Sequence, residues 1–353
     1  MATQKSNTEP VITGINAITS LGYNGEDIAS SVKKGVTRLE YSGSLFDVNG
    51  NSLKISYIPG FSFDENGSSK TFITDTGKKC LEDLMQQNSL KTGLPEQVYL
   101  LMGNPSPERP GTRFPASVFT ADIDLDRAEV HEESFDNGNP SAIFALERAA
   151  EIIKKDPRAL CIVGVADCLL ESDTLKWFEA DQRINSEGSG RSHSFSPSQA
   201  VAFFCVESKK AALENNRKIY AEIKSIKTSR EPAPYVSGSP SRAQGLTQAI
   251  SGALENADPE SVQDIFCDLN GEHYRSKEWG LAEIRCFDSN KSEYNLWHPA
   301  DCHGNPGAAA SGVLATIAAE GIAKQWLEKQ VLVFASDDHG YCGAVVLSGA
   351  DTG

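Results

Sequence analysis

Two rhythms of apolar and polar positions alternate along the chain. Short, nearly continuous apolar runs at 11–19, 97–102, 159–166, 200–206, 219–226, 264–268, 331–335 and 344–348 predict strands buried in a core. Between them, apolar residues recur every three or four positions, predicting helices at 28–32, 75–87, 140–155, 208–217, 241–256 and 307–327. The clearest is 140–155, where Ile143, Leu146, Ala149 and Ile153 share one stripe. Asn139 is its expected N-cap and Pro140 its first helical residue. Ser241 is the expected cap of the 241–256 helix. The first half of the 307–327 helix is Gly, Ala and Ser, a slender surface that lets a neighbour approach closely. Residues 40–70 and 171–199 are polar and turn-rich, predicting loops with one hairpin in the first stretch. Pro105, Pro107 and Pro110 make 103–114 a long connection.

The order helix, strand, loop, strand closes both 140–206 and 307–348. Such an echo predicts two related α/β halves packed together. The expected boundaries are a flexible leader at 1–9, one half at 10–208 and the other at 209–353. At 353 residues the chain can fill one large core or two medium ones.

Composition narrows the possibilities. A net charge of −15 repels a phosphate backbone, so no nucleic-acid role is expected. No apolar run reaches the roughly 20 residues that a membrane span needs. The polar first residues lack the apolar core of a signal peptide. Eight scattered cysteines, with no CxxC pair and several in apolar runs, predict small buried hydrophobes in a reducing compartment. These features together predict a soluble, cytoplasmic protein.

Residues 134–141, Ser-Phe-Asp-Asn-Gly-Asn-Pro-Ser, form a tight turn delivering Asn139 to a buried helix N-terminus. Free N–H groups and the helix dipole make such a place suited to a nucleophile or an anion. The residue presented is an amide, which cannot attack.

Several stretches resemble the β-ketoacyl synthases, condensing enzymes of the thiolase fold. Val11 to Gly22 is similar to their V-T-G-x-G-x-x-T-P-L-G opening, and Asn139 to Leu146 to their nucleophile helix. Residues 160–168 resemble the strand that follows it. Phe195 to Glu207 and Ile219 to Ile223 resemble the end of the first half. Gly307-Ala308-Ala309 resembles the second histidine motif, and Ser336 to Gly343 the closing S-F-G-F-G-G loop. The resemblance implies a five-layer αβαβα core of two similar halves. It also implies pairing through strands beside the nucleophile helix, with 159–166 as interface material. The partner would be a second copy or an active synthase.

The family attacks an acyl thioester with a cysteine and uses two histidines on the malonyl group. By resemblance, the cysteine falls on Asn139 and the first histidine on Asn270. The second histidine falls on Gly304, with His303 one place early. The family lysine falls on Pro299 and the gating phenylalanine on Tyr341. The usual Cys-His-His set is therefore replaced. Asn270 reads either as a donor to a ligand carbonyl or as the strand-end turn with Gly271. His273, beside Tyr274 and Arg275, reads as a surface residue of the next helix.

His298, Cys302, His303, His339 and Cys342 are the remaining chemistry-bearing residues near these motifs. Cys302 or Cys342 with His303 is a candidate relocated nucleophile pair, and Tyr341 and His339 are candidate substrate-binding positions. Their spacing matches no common zinc pattern, so no metal is expected. Gly188-Ser189-Gly190-Arg191 lacks a phosphate-loop context and reads as a mobile loop with solvated Arg191, so no cofactor is expected. Three readings of function remain open. One is a non-condensing β-ketoacyl-synthase-like subunit that binds an acyl chain, acyl-CoA or an acyl carrier protein, as chain-length-factor subunits do. The others are an acyltransferase with a relocated nucleophile and a non-enzymatic binding protein.

Overall fold

The computed structural model describes residues 8–62, 69–87, 94–121, 123, 125, 128–257, 261–287, 294–327 and 330–350; most of the expected leader lies outside them. The chain begins with β1 (Pro10–Ile18), α1 (Gly25–Lys33) and the hairpin β2 (Glu40–Phe46) and β3 (Ser52–Ile55). Next come α2 (Ser69–Gln87), β4 (Gln97–Gly103), α3 (Ala116–Thr120), β5 (Glu129–Phe135) and α4 (Ser141–Lys155). β6 (Leu160–Cys168), α5 (Ser172–Ala180), β7 (Gln199–Ser208) and α6 (Lys209–Glu214) complete the first half. The second holds β8 (Ala221–Arg230), α7 (Gln244–Leu254), β9 (Val262–Cys267), α8 (His273–Cys286), β10 (Asn295–Trp297) and α9 (Ala300–His303). It closes with α10 (Ala310–Ala323), β11 (Gln330–Ser336) and β12 (Tyr341–Ser348).

The sheet runs β10-β9-β11-β12-β8-β1-β7-β6-β4-β5. Reading outward from β1 gives β1-β7-β6-β4-β5, and outward from β8 gives β8-β12-β11-β9-β10. These are the same topology in the same chain order. The halves meet where Val11 and Ile12 pair with Glu222 and Ala221. One apolar cluster joins α1, α4 and α10 to one side of both halves. A second packs α2 and α3 on the outer side of the first half, and a third packs α7 and α8 on the second. The result is αβαβα, a thiolase-like core of two similar halves. β6, β7, β11 and β12 are near-continuous apolar runs because helices cover both of their faces.

The slender half of α10 has a packing reason. A Cβ at Gly312 would sit 2.4 Å from Val165, so the bare backbone lets α10 lie against β6.

Several elements depart from the periodicity. α2 begins at Ser69, before the apolar stripe is legible, and the helix expected at 307–327 divides into a 3-10 turn at Gly307–Ala309 and α10. α3, α5, α9, β5 and β10 are elements of too few or too polar residues to carry a period. β5 reads Glu-Val-His-Glu-Glu-Ser-Phe, its charges acceptable because it forms the sheet's edge. Ser241 is not the cap of α7: Ala243 precedes the helix at φ 53°, and the Ser241 hydroxyl accepts the Ala243 N–H at 3.0 Å.

Candidate functional site

The turn at 136–139 and the start of α4 lie in the middle layer, facing the ends of β9 and β11. Gly138 adopts φ +68°, and a Cβ there would fall 1.9 Å from Asp337 Oδ2. Glycine is therefore required for the chain to pass under the 336–340 loop. Asn139 follows, buried. Its side chain does not cap α4: Pro140 takes that place, and the Asn139 amide donates to Asp268 Oδ2 at 3.0 Å. The helix amide of Ala142 is satisfied instead by Ser311 Oγ at 3.2 Å, while the Ser311 N–H donates to the Asn139 carbonyl at 3.2 Å. The N-terminal ends of α4 and α10 thus satisfy each other across the middle layer.

Asp268 belongs to a buried ionic network. It accepts from Arg275 Nη1 at 2.9 Å and from the Ser336 N–H at 3.2 Å. Arg275 also donates to the Ser336 carbonyl at 2.5 Å and to Asp338 Oδ1 at 3.1 Å. Arg183 clasps Glu272 through Nε at 2.6 Å and Nη2 at 3.1 Å, and reaches Asp338 Oδ2 at 2.6 Å. The Tyr274 hydroxyl donates to Asp338, and the Arg183 guanidinium lies 4.7 Å from the Tyr235 ring centre. On the other side Arg109 pairs with Asp167, which also accepts the Ala308 N–H at 2.7 Å. Burial raises the Asp268 carboxyl, opposed by Arg275 and the Asn139 amide. Burial pulls Asp338 the same way, but Arg183 and Arg275 outweigh it and hold that group well below the usual carboxylate range.

Charges buried this way are costly to assemble, and removing one partner strands the other at about 3–5 kcal/mol. The network therefore holds its loops in place and leaves little room. The cavity lined by Asn139, Arg109, Arg183, Arg275, Asn305 and Asp338 has a volume of about 10 Å³, space for one water. A larger open groove of about 960 Å³ lies elsewhere, between the β2–β3 hairpin and α5, lined by residues including Phe46, Leu53, Lys176 and Glu179.

Asn270 is buried, with its amide donating to Glu272 Oε2 at 2.9 Å and its carbonyl accepting the Glu272 N–H at 3.1 Å. It forms the strand-end turn, with Gly271 at φ +101°. His303 closes α9 and lines a second water-sized cavity of about 10 Å³ with Cys267, Asp268 and Asn305. Neither ring nitrogen has a partner among the described residues, and burial pushes its pKa down to about 4. Gly304 adopts φ +75°, and a Cβ there would fall 2.7 Å from the Ser196 carbonyl oxygen, leaving no space for a side chain.

The other candidates do not converge. Cys302 belongs to the middle-layer core and Cys342 to the outer core of the second half, so the second sheet separates them. Burial raises both thiols, Cys342 strongly, and all eight cysteines shift in the same direction. His339 meets Ser106 Oγ at 2.9 Å and Asp337 at 3.1 Å, and its pKa is raised by that Asp337 bond. The Tyr341 ring packs edge-on to Phe144, and Arg230 lies 4.7 Å from its centre. His298 is partly exposed beside Asp301. Among the described residues no three His, Cys, Asp or Glu side chains are grouped to hold a metal ion. No described helix is long and apolar enough to cross a membrane.

Sequence reasoning missed the network itself. His273 is exposed, as the sequence suggests, whereas Arg275, two residues on in the same helix, is buried. Arg191, expected to be solvated, is half-buried with a largely covered side chain, and donates to Glu179 at 2.6 Å. The members Arg109, Asp167, Arg183, Asp268, Glu272, Arg275 and Asp338 come from five separated segments, and no spacing rule joins them. The one available signal was Asp268, Glu272 and Arg275 crowding the end of an apolar strand.

No protein-family model and no curated protein sequence matches this chain. Solved structures do, and the fold they share is that of the ketosynthases. A chain from a type II polyketide acyl-carrier protein in complex with its ketosynthase bound to a hexaketide matches with TM-score 0.78 and 15% identity, over 98% of this chain and 100% of that one. The ishigamide ketosynthase/chain length factor matches with TM-score 0.77 and 15% identity, over 98% and 100%. A β-ketoacyl synthase from Burkholderia phymatum matches with TM-score 0.74 and 14% identity, over 97% and 99%.

Proposed function

We propose that this protein is a non-condensing subunit on the ketosynthase fold, working beside an active synthase or its acyl carrier in fatty-acid or polyketide-type metabolism. The observation that carries this reading is Asn139. At the start of α4, where the resemblance puts the attacking cysteine, an amide donates to a buried carboxylate inside a closed ionic network. Condensation needs a thiolate and donors aimed at a developing oxyanion. Here the Asn139 amide and most of the guanidinium donors around it are committed to carboxylates, and every cysteine is shifted away from thiolate. The water-sized cavity leaves no space for an acyl chain beside Asn139 in this form. Binding to a carrier or synthase would therefore use the outside of the fold. The neighbour described as a ketosynthase/chain length factor supports a role of this kind.

Incubation with malonyl and acyl thioesters of CoA and of an acyl carrier protein, followed by intact-mass measurement and CO₂ detection, tests the reading. The expected result is an unmodified chain and no CO₂ above background. Stoichiometric acylation abolished by Cys302→Ala or Cys342→Ala would sink it in favour of a relocated nucleophile.

A further inference from the structure

Two exposed histidines from distant parts of the chain meet on the surface beside the buried network. His193 lies in the connection between α5 and β7, and His273 is the first residue of α8. Their ring centres are 5.1 Å apart and the ring planes are inclined by 49°, so the rings are not stacked. Among the described residues neither imidazole makes a hydrogen bond or an ion pair. Imidazole nitrogens left free in this way are the commonest protein ligands for transition metals.

The backbone under each ring is fixed. Arg191 donates to Glu179 at 2.6 Å and to the Ile184 carbonyl at 2.8 Å, and the Ser194 hydroxyl donates to the Arg191 carbonyl at 3.2 Å. His193 stands between these two anchors. On the other side Glu272, the residue before His273, is clasped by Arg183. The two segments come together at Gly271, which takes φ +101°; a Cβ there would fall 2.9 Å from the Ser194 carbonyl oxygen. A zinc ion sits about 2.1 Å from an imidazole nitrogen and therefore about 3.2 Å from the ring centre. Rings centred 5.1 Å apart bracket such an ion at an angle of roughly 105°, close to tetrahedral. The surroundings favour a cation: the adjoining network sets Asp268, Glu272 and Asp338 against Arg183 and Arg275, and the chain carries a net charge of −15.

We propose that His193 and His273 form a two-histidine surface site for Zn(II), which ties the α5–β7 connection to the start of α8. Water completes the coordination, so the ion exchanges freely, unlike one in a closed four-ligand structural site. The site does not depend on the reading of Asn139. Isothermal titration of the EDTA-treated full chain with ZnCl₂ tests it, comparing the wild type with His193→Gln, His273→Gln and the double variant. The wild type should bind a zinc that both single variants bind roughly tenfold or more weakly, because a lone imidazole loses the chelate. The double variant should be no worse than either single one. Both side chains are exposed and make no hydrogen bond, so metal-free thermal unfolding should match the wild type in all three variants, separating lost binding from lost folding. Any weaker binding at His298 beside Asp301 should be the same in every protein. A wild-type isotherm retained by either single variant would overturn the proposal and leave the rings as a packing contact. Losses that add in the double variant would overturn it as well, since each histidine would then be binding alone.

Discussion

His303 is the residue whose chemistry is most exposed to test. Its imidazole is buried without a hydrogen-bond partner among the described residues, and burial lowers its pKa from 6.5 to about 4. Between those values the unfolded chain takes a proton that the native state refuses. Stability therefore falls as pH drops below 6.5 and this contribution levels off below pH 4; the shift corresponds to about 3 kcal/mol. His303→Leu should remove that part of the acid sensitivity while changing stability at neutral pH little, because no hydrogen bond is lost. Urea unfolding of both proteins near neutrality and near pH 4 measures it, and parallel pH profiles would refute the assignment. His339 has the opposite sign: its raised pKa adds stability that is present at low pH and lost as pH rises through the folded-state value. The comparison of wild type with His303→Leu cancels that term.

At the scale of elements, the start of α4 depends on one turn. Gly138 carries a positive φ, and the space its side chain would need is already filled by Asp337. Gly138→Ala should cost about 2–3 kcal/mol by combining backbone strain with displacement of the 336–340 loop. A shift in the urea midpoint at unchanged slope is the expected readout. A neutral effect would mean that the loop moves freely, contrary to its ionic anchoring. The strand β5 carries the second lesson of this scale. Read for hydrophobicity, residues 129–135 have no strand signal, because an edge strand is only partly covered and tolerates charge. Helix α5 was missed because it is short: it packs Leu175 and Phe178 inward from only nine residues, too few to show a stripe.

At the scale of the molecule, the two halves share their central core. α4 and α10 exchange hydrogen bonds through Ser311, β1 pairs with β8, and one apolar cluster spans both halves. Neither half has a covered middle face by itself. A chain ending at residue 217 should be expressed as aggregated or molten protein, and the full chain should unfold in one cooperative transition. Circular dichroism and ANS binding on the truncated chain check this; a native-like, cooperatively melting first half would show that the shared layer is dispensable.

The buried strands, the amphipathic helices, the duplicated closing pattern and the buried character of most cysteines were legible in the sequence. Burial on both faces writes itself as continuous apolar runs, and amphipathic packing writes itself as a stripe. The assignment of Asn139 to the family's nucleophile position came from the resemblance, since it depends on residue identity at one turn. Tertiary structure alone decided that Asn139 serves Asp268 rather than its helix, and that Asn270 is occupied by Glu272. It also decided that Cys302 and Cys342 lie on opposite faces of a sheet, and that β5 is an edge. The physical reason is range. Periodicity records what a segment needs from its own backbone and the nearest solvent boundary. Pairing of buried charges is settled only when segments far apart in the chain arrive at one point and have no water left to satisfy them.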